Sequence, residues 1–252
     1  ETVYTVGDFK PFDSKSRTWT LKDGVVNSSP LSGDPRPGNA KFKKLTPVDE
    51  NSANPYTLTD DDRTVIGNTT PKFSGGFGLN ATFKGFDVSA FFNFMYDFDV
   101  FNANKVMMTT WASNNYNNFS MDISAAKRWR NFDDMGNEIR YSPEILAEFN
   151  KNATMWNPTS IGRPIAMSYA VEDGSFLRLN TATIGYTLPR AWTNKVGLSR
   201  VRFYASGYNL FTITGYSGYD PEVDIATGLT PNIDNNRYPR SRTYTFGVQL
   251  TF

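Results

Sequence analysis

Three consecutive aspartates form the first candidate site for chemistry. Asp60, Asp61 and Asp62 precede Arg63, and carboxylate oxygens grouped in this way can bind a hard divalent cation. Short acidic stretches also form solvated turns, in which an aspartate caps a helix or pairs with a neighbouring arginine. We favour the turn, and the cation site remains the alternative.

Further carboxylates lie on a predicted strand. Asp97 and Asp99, like Asp87, point to one side of that strand and could work as paired acid–base groups. We expect them instead to meet Arg or Lys side chains of neighbouring strands. The chain has no Cys and no His, which excludes thiol nucleophiles, disulfides and His-dependent triads. No set of nucleophile, general base and oxyanion donors can be assembled, so the sequence predicts neither an enzyme nor a bound cofactor.

Aromatic side chains in the long connections are the candidates for substrate binding. Their rings can stack on the C–H faces of sugars or pack against peptide side chains, while Asn and Asp supply hydrogen bonds. The alternative is packing within large loops, which we favour for any single residue while expecting a few of the set to face ligand. The set comprises Trp111, Tyr116, Trp129, Trp156, Tyr169, Tyr216 and Tyr219.

Alternating hydrophobicity is the main structural pattern. From Phe86 to Val100 every even position is apolar and most odd positions are polar, which predicts one long strand with an apolar face. We expect that face to contact lipid through Phe86, Val88, Ala90, Phe92 and Phe94. No apolar run is long enough for a transmembrane helix, which needs ~20 residues. A transmembrane β-barrel fits, because its strands alternate lipid-facing and lumen-facing residues.

Further alternating segments predict at least four more strands. They are 73–83, which the turn Lys84-Gly85 joins to the first strand, and 175–188, 198–211 and 243–252. Arg178 and Asn180 interrupt the apolar face of 175–188. A serine and a proline, Ser142 and Pro143, predict a short helix inside a long connection.

The connections alternate in length, as they do between the strands of outer-membrane barrels. The sequence therefore predicts an all-β fold, a transmembrane antiparallel β-barrel segment of five to six strands with long extracellular loops. Its parts are a mainly extracellular loop region (1–71), a barrel hairpin (72–100), a long extracellular loop with a short helix (101–174) and carboxy-terminal barrel strands (175–252).

Several strings resemble one family in the order in which that family shows them. They are Thr64-Val65-Ile66-Gly67-Asn68, Pro71 to Phe77, Glu172 to Leu179, Gly185 to Pro189, Asn209 to Thr212 and Gly218-Tyr219-Asp220-Pro221-Glu222. From about Gly38 to Phe252 the chain resembles the carboxy-terminal part of the β-barrel of SusC/RagA-type TonB-dependent outer-membrane transporters. The place where that family often carries an acidic, glycine-containing loop has the sequence Pro47 to Asn54 here, so we expect no calcium there.

This resemblance implies a barrel of roughly 22 strands, of which five cannot close the wall, so the chain is expected to be part of a longer protein. It implies import of oligosaccharides or oligopeptides through the outer membrane of a Gram-negative bacterium. The implied partners are a SusD-like surface lipoprotein, TonB acting through an amino-terminal part outside this chain, and outer-membrane lipid. A dimer of transporter–lipoprotein pairs is a further option. Nearly equal counts, 26 Lys and Arg against 25 Asp and Glu, predict no nucleic-acid partner.

The last strand is a candidate barrel-assembly signal. Thr245, Gly247, Leu250 and Phe252 resemble the terminal strands of outer-membrane barrels, whose edge the assembly machinery engages by strand addition. An ordinary antiparallel strand is the alternative. Two other functions stay open for the whole chain. One is a secreted or surface β-sandwich that binds glycans, in which two sheets cover each other's apolar faces, and the other is a passive channel.

Overall fold

In a computed structural model of the protein, the described residues are 2–110, 119–161, 165–223 and 232–252. They fall into two compact units. The loop unit comprises Glu1–Ile66 and Ala103–Ala170, and the sheet unit comprises Gly67–Asn102 and Val171–Phe252. Among the described residues, no helix has the length and apolar character needed to cross a membrane.

Strands dominate the secondary structure. The strands are β1 (Thr2–Val3), β2 (Ala40–Lys41), β3 (Phe73–Phe83), β4 (Phe86–Tyr96), β5 (Asp99–Asn102), β6 (Val171–Asp173), β7 (Phe176–Thr187), β8 (Arg200–Thr214), β9 (Ile233–Asp234) and β10 (Thr243–Thr251). The α-helices are α1 (Ser29–Ser32), α2 (Ala103–Met107), α3 (Pro143–Phe149) and α4 (Arg190–Thr193). Short 3-10 helices span Val6–Asp8, Asp60–Asp62, Met121–Ile123, Pro158–Ser160, Ser168–Ala170 and Asn194–Val196.

A five-stranded antiparallel sheet forms most of the sheet unit, in the order β10-β8-β7-β4-β3. Lys84 and Gly85 connect β3 to β4 with positive φ angles of 47° and 89°, the backbone that a two-residue hairpin turn requires. All five predicted strands are present, and the predicted hairpin is confirmed.

The prediction of one continuous strand from Phe86 to Val100 is wrong. Strand β4 ends at Tyr96, Asp97 adopts a φ of 59°, and the chain continues as β5 in a separate sheet of order β6-β5-β9. Phe98 and Val100 therefore lie in a buried cluster with Phe176, Tyr216 and Val223. Apolar alternation persists in the sequence across this break because β5 also buries alternate residues, against protein rather than on the face of β4.

A bulge explains the interruption predicted in β7. The pairing of β7 with both neighbours shifts between Leu179 and Thr181, so Asn180 is an extra residue and the alternation changes parity there. Leu177 and Leu179 consequently share a face with Ala182. Arg178 points to the opposite face.

The register gives the sheet one apolar and one polar face, because directly paired residues lie on the same side. The apolar face includes Phe73, Phe77, Leu79, Phe83, Phe86, Val88, Ala90, Phe92, Phe94, Tyr96, Leu177, Leu179, Ala182, Ile184, Tyr186, Val201, Phe203, Ala205, Phe211, Ile213, Tyr244, Phe246, Val248 and Leu250. The polar face includes Asn80, Thr82, Asp87, Ser89, Asn93, Arg178, Thr181, Thr183, Arg202, Ser206, Thr245 and Gln249.

The loop unit has its own small core. Trp129, Ile139 and Leu146 are buried together, and partly buried residues such as Trp19 and Phe149 pack against them. The predicted helix is α3, with its proline at the first turn. Ser142 occupies the position before it, although its side chain makes no capping hydrogen bond.

We expect Phe92→Arg to destabilise the folded protein in lipid by about 2–4 kcal/mol, the cost of a cation on the lipid face near the bilayer midplane. Phe92 lies in the middle of β4 on the apolar face, and its ring stacks on Phe77 with 4.9 Å between centroids. The measurement is urea unfolding of the whole protein in phospholipid vesicles. Asn80→Arg, on the polar face of β3, is the matched control. An equal loss in both variants would contradict a lipid contact at Phe92.

Candidate functional site

The apolar face is an extended exposed surface of the five-stranded sheet. Large side chains lie open along it, for example Phe246, which is 80 % exposed. The five residues predicted to face lipid, Phe86 to Phe94 at even positions, all lie on this face. A strand as long as β4 spans about 37 Å, and at a tilt of ~45° it covers about 26 Å along the membrane normal, close to the ~25 Å apolar band of outer-membrane barrels.

The polar face carries a salt bridge that crosses three strands. Arg202 of β8 donates from Nε to Asp87 Oδ1 of β4 at 2.9 Å, and its Nη2 contacts the second carboxylate oxygen. The guanidinium passes directly over Gly185 of β7, where a Cβ atom would collide with it. The expected pairing of Asp87 with a basic neighbour is confirmed.

The other two strand carboxylates differ from each other. Asp97 pairs with Lys72, as expected. Asp99 instead accepts a hydrogen bond of 2.6 Å from the backbone N–H of Asn68. The expectation of an Arg or Lys partner is wrong for Asp99, because the break after β4 moves this carboxylate out of the five-stranded sheet.

The aspartate triplet forms a capped turn. The side chain of Asp62 is 4 % exposed and accepts hydrogen bonds from the backbone N–H groups of Leu45, Thr46 and Thr59 at 2.8–2.9 Å. Burial acts to raise the pKa of the Asp62 carboxyl, but these hydrogen bonds outweigh it and hold the pKa well below its ordinary value. Asp60 pairs with Arg63 at the surface. In the described part of the chain no cluster of three or more His, Cys, Asp or Glu could hold a metal ion.

Most of the predicted loop aromatics that the structure describes are buried. Trp129 lies in the core of the loop unit, and Trp156 donates from Nε1 to the carbonyl of Thr109 at 3.3 Å and packs edge-on against Tyr169. The side chains of Trp129 and Trp156 therefore stabilise the fold of the loop unit. Trp111 and Tyr116 lie outside the described residues.

Tyr216 and Tyr219 behave differently although they share one loop. Tyr216 is buried and donates its hydroxyl to Asp234 Oδ2 at 2.7 Å. Burial, and then this hydrogen bond, raise the pKa of Tyr216 above its ordinary value. Tyr219 is 83 % exposed. Tyr238, which the sequence analysis did not single out, is also exposed.

A buried charged network holds this loop to the five-stranded sheet. Arg178 of β7 is only 2 % exposed, and its Nη2 lies 2.5 Å from Asp220 Oδ1 and 3.7 Å from Glu222 Oε2. Arg240 contacts the other oxygen of Glu222 at 2.6 Å. Sequence reasoning missed this network. The indication of it in the sequence is Arg178, the charged residue that interrupts the apolar alternation of β7.

The four residues of the predicted assembly signal lie on or next to the edge strand β10. Thr245 and Gly247 are on the polar face and Leu250 is on the apolar face, while Phe252 follows the strand and is exposed. Gly247 is paired with Tyr204, whose ring occupies the space that a Cβ atom at Gly247 would fill. The Tyr204 ring therefore explains why a residue without a side chain occupies position 247. The role in assembly stays a prediction.

Comparison with known proteins places this geometry in a family. No protein-family model matches the chain. The TonB-dependent receptor P3 of Formosa agariphila is 32 % identical over 228 residues, which are 88 % of this chain and 20 % of that protein. The TonB-dependent receptor SusC of Bacteroides thetaiotaomicron is 32 % identical over 60 % of this chain and 15 % of its own length. The names of these relatives denote receptors rather than enzymes.

Solved structures agree with the sequence relatives. The RagAB peptide importer in its open-open state superposes with a TM-score of 0.54 at 26 % identity, over 78 % of this chain and 19 % of that chain. The closed-closed state of the same importer shares the fold at 24 % identity, with a TM-score of 0.55 over 97 % of this chain and 22 % of its own. The chain spans 15–22 % of the length of these relatives. It belongs to the SusC/RagA family of TonB-dependent outer-membrane transporters, and its five-stranded sheet is a segment of their transmembrane β-barrel.

Proposed function

We propose that the protein imports oligosaccharides or oligopeptides across the outer membrane of a Gram-negative bacterium, driven by TonB and together with a SusD-like surface lipoprotein. The observation that carries this proposal is the continuous apolar face of the five-stranded sheet, backed by a polar face with paired charges. A wall with these two faces separates lipid from a water-filled or plug-filled lumen. The family relationship supports TonB as the energy source and a SusD-like lipoprotein as the partner.

The same apolar face argues against the β-sandwich. A sandwich buries the inner faces of its two sheets against each other. Among the described residues of the sheet unit, no second sheet covers this face. Large side chains such as Phe203 and Val248 are exposed on it. Lipid is the environment that such a surface matches.

The loop after β8 is the part of the segment best suited to contact cargo. Tyr216 and Asp220 fix it on both sides of Tyr219, through the hydrogen bond to Asp234 and the ion pair with Arg178. An exposed tyrosine on an anchored loop offers a ring for a sugar face or a peptide side chain without a large loss of conformational freedom on binding. We therefore propose Tyr219 as a substrate contact, and RagAB, named a peptide importer, supports a peptide as readily as a glycan.

Cell fractionation combined with uptake tests this function. The whole protein, tagged and expressed in its native background, is expected in the outer-membrane fraction together with a surface lipoprotein. Uptake of fluorescent oligopeptides or oligosaccharides should stop when TonB is deleted. Recovery in the soluble fraction would favour the sandwich, and uptake that persists without TonB would establish a passive channel.

We expect Tyr219→Ala to weaken cargo binding by about 2- to 12-fold, the range for one aromatic contact, while unfolding stays unchanged because the side chain is exposed. Isothermal titration with the purified protein measures the affinity. Tyr219→Phe keeps the aromatic ring and should retain most of the cargo affinity. Trp192→Ala removes an exposed ring from the short connection between β7 and β8 and serves as the control. Equal effects of the two alanine variants would refute a specific role for Tyr219.

We expect Arg178→Met to release the loop that carries Tyr219. Removing the cation leaves Asp220 and Glu222 without their buried partner, a change that costs about 3–5 kcal/mol when one member of a buried ion pair is lost. Hydrogen exchange should rise in residues 215–223, and cargo affinity should fall with it. Arg240→Met, at the exposed end of the same network, should have a smaller effect. Unchanged exchange in Arg178→Met would show that other contacts hold the loop.

A further inference from the structure

A groove crosses the apolar face next to the short turns. Phe86, Tyr186 and Phe203 form one row of paired residues, and Ala205 pairs with Phe246 in the next. The rings of Phe86 and Tyr186 lie 4.5 Å apart. Because Ala205 is small, the aromatic side chains around it enclose an open groove whose lining also includes Ile184 and Val248.

Positive charge collects at the same end of the sheet. Lys84, at the tip of the turn between β3 and β4, places its ammonium 5.2 Å from the ring centroid of Phe83. Phe83 is paired with Phe86, which lines the groove, so Lys84 lies one strand away from the groove margin. The adjoining connection between β7 and β8 adds the basic residues Arg190 and Lys195.

Acidic side chains do not neutralise this charge. Asp87 is the single acidic residue in the sequence segments 82–88 and 185–203, and it is paired with Arg202 on the polar face. Trp192 in the same connection is 61 % exposed, and an exposed tryptophan with nearby cations is typical of a membrane–water interface. The turn end therefore combines an apolar groove, an interfacial ring and a net positive charge.

We propose that this end of the sheet binds an anionic phospholipid, with an acyl chain in the groove over Ala205 and the head-group phosphate at Lys84. Short turns face the periplasm in outer-membrane barrels, so the lipid belongs to the periplasmic leaflet. Basic residues beside apolar membrane surfaces select anionic head groups. The inference rests on the proposed function in the outer membrane and adds a specific lipid ligand to it.

Native mass spectrometry tests the site with the whole protein released from nanodiscs. Discs contain phosphatidylglycerol or, for comparison, phosphatidylcholine. Lys84→Gln removes the head-group cation and should lower phosphatidylglycerol retention by about fivefold, the effect of one basic residue near a lipid surface. Ala205→Leu fills the groove without changing charge and should lower retention of both lipids.

Matched controls separate this site from general lipid contact. Lys151→Gln removes an exposed lysine of the loop unit, and Ala90→Leu enlarges a residue on the same apolar face outside the groove. Both should retain phosphatidylglycerol like the unaltered protein. Equal retention in Lys84→Gln and Lys151→Gln, or no preference for phosphatidylglycerol, overturns the proposal. A protein dimer that Ala205→Leu dissociates would overturn it in favour of a second copy on the groove.

Failure of the lipid site and failure of the proposed function give different results. A protein that fractionates with the outer membrane but shows no lipid selectivity refutes only the site. A protein absent from the membrane fraction refutes the proposed function, and the lipid site with it.

Discussion

Hydrogen bonding of the backbone in an apolar solvent is the constraint on which the rest of this structure depends. Inside a bilayer each unpaired N–H or C=O group costs several kcal/mol, so a membrane wall made of strands must pair every strand with its neighbours. The extended strand backbone fixes the side-chain period at two, and that period divides the five-stranded sheet into an apolar and a polar face. The tight turn at Lys84 and Gly85 keeps the register from which both faces follow.

At the two places where a regular strand is interrupted, the chain does more than form the barrel wall. The extra residue Asn180 shifts the parity of β7, which turns Arg178 away from the apolar face. The break at Asp97 diverts the chain into a second sheet whose alternate residues, Phe98 and Val100, pack against protein. Both interruptions lie near the end of the sheet from which the long connections leave. There they supply side chains that hold the loop after β8 in place.

Sequence alone could therefore predict the strands and the turn but not these breaks. Alternation is a local pattern, and Phe73–Phe83 and Thr243–Thr251 carry it without interruption. At Asp97 the alternation continues through the turn, so nothing local distinguishes a strand from two strands in different sheets. The burial of Trp129 and Trp156 depends on contacts with distant segments, such as Gly38 and Thr109, and composition cannot show which loop ring is covered. Tyr219 was predicted together with the buried rings for the same reason.

The buried network around Arg178 explains why two of the family-like strings occur together. Glu172 to Leu179 supplies the arginine, and Gly218 to Glu222 supplies the two carboxylates that receive it. A buried ion pair adds little net stability compared with apolar packing, because desolvation offsets the attraction. It does make other loop positions unfavourable, since any displacement of Asp220 leaves a charge buried without its partner. A loop fixed by such a pair holds one geometry while its tyrosine stays exposed. The residue that positions the loop, Arg178, is thus distinct from Tyr219, the residue that we propose as a substrate contact.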